Sequence, residues 1–229
     1  MKPHFLFAFV TLVFTFVSTL QADLTIVQDV QAQGQNLTMT SKFKADKIRI
    51  DLGEQATSIV DAKSGDVVTL MHGQKMAMKM SGNQLASLTK TFSNNQNTSD
   101  TEPELVATGN TETINGHECK EYTYQSDGTT ITLLIAEDYP EKEKILKQME
   151  LLQESEFSKQ VTGGKVAAPK ALPGVPLKTT ATGVQGSADT TVITIKDIQL
   201  NDIADSEFVV PDGYKEMAMP AMPQAPAGN

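Results

Sequence analysis

Cysteine is almost missing from this chain: Cys119 is the only one among 229 residues. A lone cysteine closes no internal disulfide, so an exported form must be held by its core rather than by covalent staples. Tryptophan is absent and tyrosine occurs four times, which leaves no aromatic platform for stacking sugars or bases. Histidine is scarce too, with His4, His72 and His117 alone. No serine sits in a Gly-x-Ser-x-Gly turn, and the glycine patterns that cradle phosphates or dinucleotides are missing. The expectation is a protein that is not an enzyme and that carries no cofactor. Positive charge is also in deficit, with 19 basic against 28 acidic side chains. That balance argues against nucleic acid and anionic membrane surfaces as partners, because both attract cationic proteins.

What is present begins with an export signal. A polar start containing Lys2 leads into residues 5–17, apolar except for Thr11 and Thr15, and then into Ser18, Thr19, Leu20, Gln21 and Ala22. This is the three-part order of a secretory signal peptide, and its apolar run falls short of the roughly 20 residues that span a bilayer. Cleavage is expected between Ala22 and Asp23, with Leu20 the least typical residue of the signal. The product would be periplasmic or otherwise exported, without stable membrane insertion. Losing Lys2 and no acid moves its formal charge from −9 to −10. The expected organisation is a signal peptide over 1–22, one β domain over 23–215 and a disordered Met-, Pro- and Ala-rich tail over 216–229.

The mature chain then alternates with period two, the mark of sheet with one dry and one wet face. Leu24, Ile26 and Val30 share a face; Leu37, Met39 and Phe43 point one way while Thr38, Thr40 and Lys42 point the other. Ile48, Ile50 and Leu52 alternate with Lys47, Arg49 and Asp51. With strands at 57–60, 67–71 and 75–81, this reads as a meander of five antiparallel strands. A short helix is expected at 84–92, a polar loop at 93–100, and further strands at 105–113, 118–125, 129–136, 177–183 and 190–200, with Phe208, Val209 and Val210 in a last short strand. Asn115-Gly116 and Ser126-Asp127-Gly128 supply hairpin turns. The fold class is mainly β with α (α+β), with about ten or eleven antiparallel strands.

One main amphipathic helix is expected over 140–160, capped by Asp138 with Glu141 reaching back, and carrying Ile145, Leu146, Met149 and Leu152 as an apolar stripe. That stripe must lie on the sheet. Two constellations invite chemistry. His117, Glu118 and Cys119 are adjacent, but on a strand only His117 and Cys119 share a face, so a packed cysteine is the preferred reading. Met76, Met78 and Met80 occur at alternate positions, so their thioethers share a face and could suit Cu(I). Lys75 and Lys79 on the same strand argue against copper, and an adaptable apolar lining is preferred.

The order of three segments carries a resemblance: the strand meander after a signal peptide, Ile114-Asn115-Gly116-His117-Glu118-Cys119-Lys120-Glu121-Tyr122 before a strand ending in Ala136-Glu137-Asp138, and Phe208-Val209-Val210-Pro211-Asp212-Gly213-Tyr214 near the end. Together they resemble exported bacterial proteins with a domain of unknown function, distant relatives of the periplasmic lipoprotein carriers and outer-membrane lipoprotein receptors. The resemblance implies an unclosed barrel whose concave apolar face, covered by helices, holds acyl chains. The only arginine is Arg49, so the arginine that gates the carriers' cavity has no counterpart. The functional expectation is a binding protein for an apolar or acylated ligand, lined by Leu37, Met39, Phe43, Ile48, Ile50, Met76, Met78, Met80, Ile145 and Met149. The alternative is an envelope interaction module with a filled core.

Overall fold

The structure, a computed structural model, describes residues 23–92, 102–126, 128–156, 169, 171–183 and 190–218. Six strands come first: β1 (Leu24–Ala32), β2 (Gln35–Lys44), β3 (Lys47–Leu52), β4 (Ala56–Asp61), β5 (Val67–Met71) and β6 (Met76–Met80). Helix α1 (Gly82–Phe92) follows, then β7 (Val106–Ile114), β8 (His117–Ser126), β9 (Thr129–Ala136), helix α2 (Lys142–Glu154), β10 (Val175–Thr182) and β11 (Thr190–Gln199). A 3-10 turn at Asp205–Phe208 and the strand β12 (Lys215–Ala218) end the described chain.

All twelve strands join one sheet in the order β12-β6-β5-β4-β3-β2-β1-β11-β10-β9-β8-β7. Two antiparallel meanders, β1 to β6 and β7 to β11, are fused where β1 pairs with β11. Its edges, β12 and β7, are different strands, so the curved sheet stays unclosed. Turn chemistry sets the register: Gln33-Gly34 and Asn115-Gly116 both take positive φ at each residue, which fits two-residue hairpins to the twist of their strands.

Several expectations need correction. The first meander has six strands rather than five, and the sheet twelve rather than ten or eleven. Helix α2 starts at Lys142, after Glu141 at φ 55°; Glu141 lies outside the helix and pairs with Lys144 at 2.5 Å instead of closing a capping box. Phe208 ends a 3-10 turn rather than lying in a strand, because its side chain turns into the sheet and is buried. Strand β12 pairs parallel with β6 through Lys215, Glu216, Met217 and Ala218, three of which fall in the expected tail. The rest of that tail, the signal segment, the polar loop at 93–100 and residues 157–160 of the expected helix lie outside the described residues.

The largest difference concerns the wet face. Ile59, Leu70 and Ala77 are buried on it, covered by Ile203 and Phe208 with Val68, Val210 and Tyr214 packed alongside. The segment after β11 thus crosses the outer face of β3 to β6 and buries apolar side chains of β4, β5 and β6 there. A second, larger core lies on the inner face. It includes Leu24, Ile26, Phe43, Ile48 and Val60, Cys119, Leu134 and Ile195 from the second meander, and Ile145 from α2.

Candidate functional site

Directly opposed residues in a sheet point to the same face, so the register reads out the inner surface row by row. The lowest row is Phe43, Ile48, Val60, Val67 and Met80; the next is Ser41, Ile50, Ser58, Thr69 and Met78; the third is Met39, Leu52, Ala56, Met71 and Met76. Leu37 stands above them on β2, opposite Val30. All eight predicted lining residues from β2, β3 and β6 therefore share one face.

Helix α2 packs against the lower end of that face through Ile145 and Met149. Ile145 is 1% exposed within the same cluster as Phe43 and Ile48, Met149 packs against it, and the Glu156 amide donates to the Ala62 carbonyl at 3.0 Å. The ten predicted residues thus divide. Phe43, Ile48 and Ile145 are buried in a filled floor, while Leu37, Met39, Ile50, Met76, Met78, Met80 and Met149 are only partly covered. A cleft of about 420 Å³ lies beside the floor, between α2 and the β2–β3 and β4–β5 turns, with Phe43, Ile48 and Ala62 as its apolar wall and Asp46, Lys63, Glu154 and Glu156 among its polar residues. Another of about 440 Å³ flanks α2 between Leu146 and Met149 and the segment around Pro169 and Leu172. Leu52 and Met71 belong to the lining rows and were missed. Leu52 was read only as part of strand alternation, and Met71 ends a strand whose Val67-Val68 doublet obscures its period.

The outer face carries the charged network. Arg49 Nε donates to both Asp51 carboxylate oxygens, and Nη1 donates to the Glu207 carbonyl at 2.7 Å. Thr57, wholly buried, donates to Asp51 at 2.5 Å and so accepts from His72 Nε2 at 3.0 Å. The second nitrogen of His72 then accepts a hydrogen bond from the Tyr214 hydroxyl at 2.5 Å. Burial pushes the Asp51 carboxyl up, but the hydrogen bonds from Arg49 and Thr57 outweigh it and hold the group below its ordinary value. This chain fastens the C-terminal segment to the sheet.

The His117 and Cys119 pair is not arranged for nucleophilic chemistry. Cys119 is wholly buried and its weak S–H bond runs to the His117 carbonyl; burial pushes its thiol up, away from the reactive thiolate. His117 stacks on Tyr139 with ring centres 4.6 Å apart. Among the described residues, no group of three His, Cys, Asp or Glu side chains is placed to hold a metal ion, and no helix is long and apolar enough to cross a membrane.

The profile of the family Domain of unknown function (DUF4412) matches residues 21–214. The chain belongs to this family. No curated protein matches the sequence. Among solved structures, this DUF4412 protein is similar to PNGF-II at 16% identity and TM-score 0.40, covering 87% of this chain and 31% of that one. It is also similar to the LolA superfamily protein NE2245 from Nitrosomonas europaea at 8% identity and TM-score 0.33, covering 82% and 89%. A third likeness is to the Pseudomonas aeruginosa MucA/MucB complex at 11% identity and TM-score 0.35, covering 82% and 55%. The DUF4412 chain thus spans about a third of the PNGF-II chain it matches. At this degree of overlap the likenesses do not bear on function.

Proposed function

We propose that this DUF4412 protein is an exported, non-enzymatic binding protein that holds an apolar or acylated ligand on the inner face of its sheet. One observation carries the reading: above a floor sealed by Phe43, Ile48 and Ile145, the side chains of Leu37, Met39, Ile50, Leu52, Met71, Met76 and Met78 share one face and remain only partly buried. Apolar surface left beside a filled core gains free energy when a hydrocarbon chain covers it, roughly 25 cal/mol for each Å² removed from water. Methionine suits such a surface because its flexible thioether adapts to different shapes. No single side chain would be essential.

The test is titration of the purified protein with a fluorescent fatty-acyl probe. Saturable binding is expected, weakened about tenfold or more by Ile50→Glu, which puts a charge in place of the apolar side chain that stands between Ser41 and Ser58 on this face. Absence of uptake by the folded native protein overturns the reading. The second reading, an envelope interaction module, is favoured by the filled floor and by the exposed edge strand β7. It predicts no probe uptake and a protein partner captured through β7.

A further inference from the structure

The methionines deserve a second reading at the β6 edge, where the structure gathers more of them than the sequence pattern indicates. All seven methionines in the described residues are on the inner side: Met149 packs against its core from α2, and the other six stand on its strands. Four of those six meet at one corner. Met71 lies directly opposite Met76 across β5 and β6, and Met78 directly opposite Met217 across β6 and β12. Side chains paired in this way are about 5 Å apart at Cβ, and Met76 and Met78, two positions apart on one strand, are separated by roughly 7 Å. Each sulfur stands two bonds beyond its Cβ on a freely rotating stem, so three or four thioethers can turn onto a common point.

Neither Lys75 nor Lys79 faces this corner. Lys79 stands on the outer face, paired with Glu216 at 2.7 Å, and the Lys75 ammonium lies 5.1 Å from the centre of the Tyr214 ring. Lys215, opposite Met76, shares the inner face but is exposed. Met71, Met76 and Met78 are partly buried while Met217 is 47% exposed, so the corner is sheltered and open to solvent at one end. We infer that Met71, Met76, Met78 and Met217 form a binding site for a soft monovalent cation, Cu(I). Uncharged thioethers select that ion over Zn²⁺, Ca²⁺ or Mg²⁺, which take nitrogen, oxygen or thiolate donors. The buried Cys119 is not part of the site.

This inference goes beyond the acyl-ligand reading and does not depend on it. The test is competition for Cu(I) against bicinchoninate under reducing conditions, with Ag(I) as a redox-inert second probe. The native protein is expected to withdraw one Cu(I) per chain. Binding should weaken on the order of tenfold in Met78→Leu and disappear in the combined Met71→Leu, Met76→Leu, Met78→Leu and Met217→Leu variant. Cys119→Ala should bind as the native protein does. Ile50→Glu, on β3 and outside this corner, should weaken binding of the acyl probe and leave Cu(I) binding unchanged, so the two sites fail separately. No withdrawal of Cu(I), equal withdrawal by the folded Met78→Leu variant, or loss of Cu(I) in Cys119→Ala overturns the site. If the combined variant fails to fold, Met78→Leu alone decides.

Discussion

Arg49 grips Asp51 with Nε at 2.9 and 3.0 Å and the Glu207 carbonyl with Nη1 at 2.7 Å, tying β3 to a turn 158 residues further along the chain. Truncating Arg49 to alanine leaves a partly buried Asp51 without its counter-charge, and the expected cost in chemical denaturation is about 1–3 kcal/mol. Asp51 also makes the fold sensitive to acid. Because the folded state holds its carboxyl below the ordinary value of 3.8, the pairing stabilises the fold above that pH, and the stability is lost as acid protonates Asp51 at still lower pH. Acid titration followed by limited proteolysis should release the C-terminal segment at a higher pH in Thr57→Val, which removes the Thr57 hydrogen bond to Asp51 and the link to His72, than in the native protein. Gly174 is constrained by space alone, since an added Cβ would sit 2.2 Å from the Ala136 carbonyl oxygen. Gly174→Ala should therefore destabilise by about 1–3 kcal/mol, read as a lower denaturation midpoint. Arg49 stood out in the sequence as the only arginine, but nothing local pointed to Glu207, and no sequence pattern singled out Gly174.

At the scale of elements, α2 was legible because Ile145 and Met149 repeat with helical spacing, and Ile145 does enter the inner core. Ile145→Ala is expected to cost about 2–5 kcal/mol by opening a cavity in the floor, measured by thermal or denaturant unfolding. A change within experimental error of zero would contradict its place there. The helix start was misread because Asp138 and Glu141 have the spacing of a capping box, yet the backbone at Glu141 turns left-handed before the helix begins. The outer cover was missed for a different reason. Ile59-Val60 and Val67-Val68 put apolar side chains on both faces at once, a departure from strict alternation that marks a strand dry on each side. Which segment supplies the cover is a long-range matter: Ile203, Phe208 and Tyr214 reach β4 to β6 only after the chain has built the whole second meander. Parallel pairing of β12 with β6 carries no local signal either, since it depends on where that covering segment leaves the outer face.

For the whole molecule, period-two alternation and turn residues were enough to indicate an antiparallel sheet, because register in each hairpin is set locally by its turn and by its apolar face; that the sheet is unclosed was implied by the family resemblance alone. The joining of the two meanders through β1 and β11 was not, being a pairing between strands at opposite ends of the fold. Which residues share the inner face was legible, and how deeply each is buried was not. Period two placed Leu37, Met39, Phe43, Ile48, Ile50 and the β6 methionines on one face, but only packing against α2 separates the filled floor from the partly covered rows above it. Those upper rows are the centre of the account, and native mass spectrometry of the full-length expressed protein, purified without detergent, tests them most directly. The account predicts a population carrying the added mass of one acyl-chain molecule, removed on delipidation and greatly reduced in Ile50→Glu. A native protein that carries no such mass, and acquires none when mixed with fatty-acyl lipid, would contradict it.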